Sequence, residues 1–351
     1  MNPLSQKIRV LIVDDSALVR KLLRDVVSAD PDMVVVGTAS NGVEAIRCIG
    51  ELEPDVVTMD IHMPEMDGLT ALEYIMHKHP LPVVMLSALA QKGAEATFRA
   101  LELGAVDFVT KPSHYPSAIR EVRDEVILKL KTAAQASKSI IHGGGAKRGP
   151  KKKPTLAGRA TAGHKLVIIG ASAGGPRALA EIMPQFPAKT PAPIIIVQHM
   201  PSVFTRSFAE RLNIICEMDV KEAEESEELQ PGCVFVAPGG KDIIISMEYG
   251  DQGRVELMKS QSKGGATPRI DITMITAAET YGPEAIGVIM TGMGSDGAHG
   301  IEMIKKSKGG TVAQDEESCL VFGMPKVAIE RGFVDHVVPL ERIPETVLRL
   351  L

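Results

Sequence analysis

At 351 residues the chain is long enough for two domains with separate cores, taking about 150 residues for each. Its net charge of −5 gives no overall field for nucleic acid, and its four cysteines, Cys48, Cys216, Cys233 and Cys319, lack the Cys-x-x-Cys spacing of a zinc site or a disulfide framework. No apolar run approaches the ~20 residues of a membrane span and no signal-peptide pattern opens the chain, so a cytoplasmic protein without membrane insertion is expected.

Hydrophobic runs alternate with helical patterns from the start. Run 8–13 leads into Asp14 and Asp15, run 55–59 into Asp60, run 82–86 into Ser87, and run 106–110 into Lys111. Such runs predict parallel strands of a doubly wound α/β sheet, in which ligands bind beyond the carboxyl ends of the strands. The five groups then converge. Three carboxylates in one place raise one another's pKa unless a cation neutralises them, and an all-oxygen set favours a hard ion such as Mg²⁺. Lys111 suits a phosphoryl oxygen as a point charge. Taken alone, Asp14 and Asp15 read as an N-cap beside a helix dipole. With all five groups in register, the pattern is that of a chain phosphorylated on aspartate.

Composition changes between 132 and 163. This stretch holds seven Lys or Arg, no acid and six glycines, with Gly143, Gly144 and Gly145 consecutive and Lys151, Lys152 and Lys153 together. It cannot bury a core, and is expected to be a flexible tether between a first domain at 1–131 and a second at 164–351. A nucleic-acid or membrane contact is the alternative reading of its charge. Against that, no aromatic is interleaved to stack a base and no amphipathic repeat is present to lie on lipid.

Beyond the tether, three further apolar runs each end in a candidate catalytic group. Run 166–170 leads into Ser172, run 193–198 into His199, and run 285–290 into a loop with Met293 and Asp296. If these are neighbouring parallel strands, Ser172, His199 and Asp296 meet in one crevice as nucleophile, base and orienting acid. Gly170, Gly174 and Gly175 on one turn, and Gly292, Gly294 and Gly297 on the other, let backbone N–H groups face a developing oxyanion. Singly, each piece is ambiguous. GASAG at 170–174 fits a nucleophile elbow and equally a phosphate-binding glycine loop. His199 alone fits a packed histidine, and Asp296 the N-cap of a helix starting near Gly297. A dinucleotide site needs an acid about 20 residues further on, where Gln198 and His199 stand instead. The order Ser, His, Asp also differs from the Ser, Asp, His of α/β-hydrolases.

Two sets of motifs carry a resemblance. VLIVDDS (10–16), MDIHMPEMDG (59–68), Ser87-Ala88 and Lys111-Pro112 resemble the receiver domain of two-component response regulators. IGASAGGP (169–176), VQHM (197–200), TGMGSDG (291–297) and GMP (323–325) resemble the catalytic domain of protein-glutamate methylesterases, the chemotaxis response regulators that demethylate receptors. Receiver, linker and esterase in that order cover essentially the whole chain. The resemblance implies two α/β domains with mainly parallel sheets, a flavodoxin-like receiver and a Rossmann-like catalytic domain. In the receiver it implies Asp60 as phosphoacceptor, Mg²⁺ held by Asp14, Asp15, Asp60 and the carbonyl of His62, and Ser87 and Lys111 on the phosphoryl group. Phe108 would be the switch aromatic, moving inward with Ser87 on phosphorylation, and the Lys111–Pro112 bond would be cis.

In the second domain the resemblance implies Ser172 as nucleophile, His199 as general base and acid, Asp296 as orienting carboxylate and the Met293 N–H as an oxyanion donor, with no cofactor for the esterase. The implied activity is hydrolysis of glutamate methyl esters, and deamidation of glutamines, on methyl-accepting chemotaxis receptors. A histidine kinase would be the phosphodonor, and the receiver would cover the site until Asp60 is phosphorylated. TPRID (267–271) resembles the groove region, where Arg269 either meets an acidic receptor surface or is an exposed solubilising charge. The family usually has threonine after the serine. Ala173 stands there, so a hydroxyl contact is either lost or supplied by another group. The alternative from another class is a non-catalytic, phosphorylation-controlled docking module. A DNA-binding output is disfavoured, because no helix-turn-helix with a basic face follows the tether.

Overall fold

The computed structural model describes residues 7–88, 91–111, 119–136, 165–247, 253–260 and 267–351, and its contacts divide the chain into two units, Met1–Lys147 and Arg148–Leu351. In the first unit β1 (Ile8–Val13), α1 (Ala17–Ser28), β2 (Met33–Ala39), α2 (Gly42–Leu52), β3 (Val56–Asp60), α3 (Gly68–Lys78), β4 (Val83–Ala88), α4 (Gln91–Leu103), β5 (Asp107–Lys111) and α5 (Ile119–Ala134) alternate. The strands make one parallel sheet in the order β2-β1-β3-β4-β5. The chain reverses its direction of travel across the sheet at β1, so a ligand crevice opens at the carboxyl ends of β1 and β3. Val10, Leu11, Ile12, Val56, Val57, Val83 and Val84 are fully buried, which is why these strands read as continuous apolar runs rather than alternating ones.

Polar caps set the helix starts. Ser16 Oγ accepts from Val19 N, Asn41 Oδ1 from Glu44 N and Asp67 Oδ1 from Thr70 N, each taking an N–H that the helix itself leaves unpaired. Gly68 is required where α3 meets the end of β3, since a Cβ there would lie 1.9 Å from the Asp60 carbonyl oxygen. α5 continues to Ala134, with Thr132 and Ala133 buried, past the boundary at 131 that composition suggested. The apolar face of the helix outlasts its acidic residues. Residues 137–163 of the tether, and Pro112 of the expected cis bond, lie outside the described residues.

The second unit contains β6 (Leu166–Ala171), α6 (Gly175–Ile182), β7 (Ile194–Gln198), α7 (Ser202–Ile215), β8 (Asp219–Glu222), β9 (Glu227–Glu228), β10 (Cys233–Val236), β11 (Lys241–Ser246), β12 (Arg254–Lys259), α8 (Ile270–Tyr281), β13 (Ala285–Ile289), α9 (Ala298–Lys306), β14 (Gly310–Gln314), α10 (Met324–Glu330), β15 (His336–Val338) and α11 (Ile343–Leu350). Seven strands form a parallel sheet in the order β15-β14-β13-β6-β7-β10-β8. From β6 the chain moves to β7 on one side and later returns to β13 on the other, which makes β6 the topological switch point. The three strands that carry candidate catalytic groups are therefore neighbours.

A separate antiparallel sheet, β11-β12-β9, is an addition to the expected parallel architecture. It packs on α8, where three threonines serve the β11 backbone. Thr273 Oγ1 donates to Ile243 O at 3.0 Å, Thr280 Oγ1 donates to Ile245 O at 3.0 Å, and Thr276 Oγ1 accepts from Ile245 N at 3.1 Å. This spacing puts the three hydroxyls on one helix face and satisfies polar groups that burial would otherwise leave unpaired. Among the described residues no helix is long and apolar enough to cross a membrane.

Candidate active site and phosphoacceptor site

In the first unit the carboxyl edge of one sheet collects the expected groups. Lys111 Nζ stands 2.6 Å from Asp14 Oδ2 and 2.7 Å from Asp60 Oδ2. Asp14 and Asp60 are buried and Asp15 is exposed, and each of the three offers an oxygen within 4.8 Å of the others. Burial is the largest influence on Asp14 and lifts its pKa above the ordinary carboxylate value; Lys111 opposes the rise and the Asp60 charge adds to it. For Lys111 burial again disfavours the charge, but the hydrogen bonds to Asp14 and Asp60 outweigh it and hold the ammonium above its usual value. One ammonium against three carboxylates leaves the site short of positive charge. All-oxygen donors with a negative surplus fit a hard divalent cation. His62 is exposed in the loop after β3.

Ser87 and Phe108 both lie inside the unit. Ser87 Oγ accepts from Thr97 Oγ1 of α4 at 2.7 Å, with both residues fully buried. Phe108 is 3% exposed, and Lys129 Nζ of α5 lies 4.9 Å from its ring centroid. That ammonium also pairs with Asp107 at 3.2 Å and Glu125 at 3.0 Å, and donates to the Phe108 carbonyl. Both side chains are buried, the ring held by a cation that three acceptors keep in place.

The second site is built from three neighbouring strand ends. Ser172 follows β6, His199 follows β7, and Asp296 lies on the loop from β13 to α9. Backbone bonds join them beyond the sheet, from His199 N to Ala171 O at 3.1 Å and from Ser172 N to Thr291 O at 3.0 Å. β6, the Gly174 turn at φ +76° and α6 make the strand–turn–helix context that a nucleophile elbow requires. Ser172 itself is half-buried. Its hydroxyl forms no hydrogen bond among the described residues, a looseness common in catalytic sites without substrate.

His199 Nε2 is 2.7 Å from Asp296 Oδ2. That oxygen also accepts from Ile270 N at 2.9 Å, while Oδ1 accepts from Asp271 N at 3.0 Å and Gly297 N at 3.0 Å. Asp296 therefore sits on the N-terminus of α8, a helix distant in sequence, as well as at the start of its own. Burial, the largest influence, works to raise its pKa. The His199 contact and the Asp271 and Ile270 N–H groups overcome that and hold the carboxyl below its ordinary value. An ionised Asp296 draws the hydrogen of a neutral His199 ring to Nε2 and leaves Nδ1 as the acceptor, the state a general base needs.

The start of α8 is anchored in turn. Arg269 donates to the fully buried Asp242 of β11 from its backbone N at 2.8 Å, Nε at 2.8 Å and Nη2 at 2.6 Å. Arg269 is not a free solubilising charge, because its fork holds the segment whose N–H groups receive Asp296. Asp271 returns the arrangement, accepting from Gly300 N of α9 at 2.7 Å. Sequence reasoning passed over Asp242 and Asp271. An acid in the first turn of a helix is a signal that could have found Asp271, whereas Asp242 lies in a strand and has none.

The loop bearing Met293 approaches Ser172 closely, for a Cβ on Gly292 would be 2.7 Å from Ser172 Cβ. Gly294 and Gly297 turn it at φ +89° and +87°. Behind the loop Thr291 N donates to Gln314 Oε1 at 2.8 Å, and Thr291 Oγ1 donates to Ala173 O at 3.0 Å and accepts from Val321 N at 3.0 Å. A hydroxyl thus does bear on the residue-173 peptide, from a neighbouring strand end rather than from position 173.

A family model described as CheB methylesterase matches residues 167–347, and one described as response regulator receiver domain matches residues 10–123. A protein-glutamate methylesterase/protein-glutamine glutaminase of Pyrococcus abyssi is 49% identical, the match covering 98% of this chain and 94% of that one. The Thermotoga maritima protein of the same description is 44% identical, covering 98% of each. The crystal structure of the Thermotoga maritima CheB methylesterase catalytic domain aligns with a TM-score of 0.52 and 45% identity over 53% of this chain and 98% of that one.

Proposed function

The chain belongs to the CheB methylesterase family, and from that membership we propose which of its residues carry the chemistry. It is an enzyme of chemotaxis, a protein-glutamate methylesterase and protein-glutamine glutaminase regulated through a receiver domain, and not a bare docking module. Ser172 Oγ attacks the carbonyl carbon of a glutamate methyl ester while His199 Nδ1 takes its proton. The Met293 N–H donates to the oxyanion of the tetrahedral intermediate. Collapse breaks the bond from the acyl carbon to the methoxy oxygen; methanol leaves with the proton from His199, and the glutamyl acyl group stays on Ser172. Water then attacks the acyl carbon, losing a proton to His199, and Ser172 Oγ departs with that proton, giving the glutamate carboxyl and the free enzyme. A glutamine side chain follows the same course with ammonia as leaving group, for which protonation by His199 is the more demanding. The observation that carries this reading is the ionised Asp296 holding His199 Nε2 at 2.7 Å, beside the strand that ends in Ser172. Methanol release from methyl-labelled receptor membranes tests it, and Ser172→Ala is expected to abolish the release.

For the receiver, Asp60 is the phosphoacceptor and a histidine kinase the donor. Asp14, Asp15 and Asp60, with the carbonyl of His62, would hold Mg²⁺, which when bound supplies charge to offset the incoming phosphoryl group. Lys111 is released from its carboxylates to bind a phosphoryl oxygen. The basic tether that follows α5 is long enough for the receiver to cover the Ser172 crevice until Asp60 is phosphorylated. The protein works in the cytoplasm, with the methylated segments of chemotaxis receptors as substrates.

A further inference from the structure

We propose that Gln198 is a positioning residue that sets the separation of Ser172 and His199 by hydrogen-bonding the backbone carbonyl of each; this rests on the reading of those two as nucleophile and base. Gln198 closes β7 and is 2% exposed. Its Nε2 donates to Ser172 O at 2.9 Å and to His199 O at 3.1 Å. Both amide hydrogens are thereby used, one on each residue that carries a reacting side chain. The Ser172 carbonyl also accepts from Gly175 N at 2.8 Å, the bond that turns the chain into α6. One amide therefore joins the end of β6, the start of α6 and the first residue past β7. Asp296 orients the His199 ring but bonds to no atom of Ser172. Among the described side chains, Gln198 is the one bonded to both.

Two observations separate this from simple space-filling. Gln198 Oε1 is buried without a hydrogen-bond partner. A position that needed only volume would be better served by methionine or leucine, which leave no acceptor dry. Reversing the amide would set its oxygen against two carbonyl oxygens, so the donor assignment follows from the partners. The elbow is also shaped around the amide. Gly175 is not in the positive-φ conformation that Gly174 adopts, so backbone strain does not call for a glycine there. A Cβ on Gly175 would instead stand 2.0 Å from Gln198 Oε1 and 2.9 Å from the Ala171 Cβ. The second glycine of the turn makes room for the glutamine.

The test uses the full-length chain with Q198M, Q198E and S172A, and two readouts. One is methanol release from methyl-labelled receptor membranes. The other is the rate at which a small fluorophosphonate modifies the serine, which needs the hydroxyl and its base but no receptor. Q198M should lower kcat and the modification rate together by about tenfold or more while KM for receptor membranes stays within about twofold, the pattern of a lost transition-state arrangement rather than lost binding. Q198E should be most impaired at high pH, where a carboxylate faces two carbonyl oxygens. Its activity relative to the parent should recover as the pH falls and the carboxyl regains a hydrogen to donate. A folded Q198M that keeps both rates within about twofold of the parent overturns the proposal, and so does a Q198E whose activity ratio is flat with pH. Should Q198M fail to fold, the Q198E ratio decides. S172A must abolish the modification. If it does not, the nucleophile assignment fails and takes the proposal with it, an outcome distinct from failure of the Gln198 variants alone.

Discussion

Each site holds an aspartate just beyond a parallel strand, Asp14 buried and Asp296 half-buried, and the two carboxyls are driven in opposite directions. Asp14 stands beside Asp60, with Lys111 shared between them, and its pKa is raised. Asp296 has a histidine and three backbone N–H groups to itself, and its pKa is lowered. Burial opposes ionisation in both, so the difference lies in the supply of donors. The receiver site keeps a deficit of positive charge that a cation and a phosphoryl transfer can exploit. The site around His199 is already balanced, its carboxylate holding one ring in one orientation.

The sharpest way to break this comparison is to remove the members of the balanced site. Ser172→Ala or His199→Ala should each lower kcat by a factor on the order of 10⁴ to 10⁶, with the double variant little worse, because the groups act as a unit. Asp296→Asn should cost less. Methylesterase activity that persists in Ser172→Ala would sink the serine mechanism. In the charge-deficient site, acetyl phosphate should label the protein only when Mg²⁺ is present, and Asp60→Asn should abolish the label. Labelling that ignores a chelator would place the phosphate elsewhere.

A smaller effect joins the two. A chain starting near Ala157 should have a basal esterase rate up to about tenfold above the unphosphorylated full chain, corresponding to about 1.4 kcal/mol between covered and open forms. It should not respond to phosphodonor. A lower rate on truncation would make the receiver an activator rather than a cover.

Acidification gives the smallest effect. Asp14, with its folded pKa raised, takes up a proton above 3.8, so the shift in Tm that Mg²⁺ gives the receiver should shrink first as pH falls. Asp296, with its folded pKa lowered, stabilises the second unit fully above its unfolded value, and that contribution should be lost only as pH drops below 3.8 through the lower folded value. Thermal melts at stepped pH check the order. If the Mg²⁺ response outlasts the second unit's loss, the contrast between the sites is wrong.

Much of both sites was legible along the chain, because parallel strands buried on both faces leave uninterrupted apolar runs, and whatever follows such a run lies at the ligand edge of the sheet. Asp14, Asp60 and Lys111 in one unit, and Ser172 and His199 in the other, follow from that rule and from motif spacing. The groups that hold them did not, since their meaning depends on strand order and helix placement rather than on neighbours in sequence. Asp296 was legible as an orienting acid, or singly as a cap for the helix that follows it, but only the packing of α8 against α9 gave it the Ile270 and Asp271 N–H groups. Arg269 read as a contact for an acidic surface or as an exposed charge, until β11 supplied Asp242. Phe108 was legible as a switch aromatic, but that Lys129 reaches back from α5 to its ring was not. Local sequence determined which residues stand at the strand ends. The tertiary structure decided which donors reach them, because a buried polar group takes whatever partner folding brings within about 3 Å.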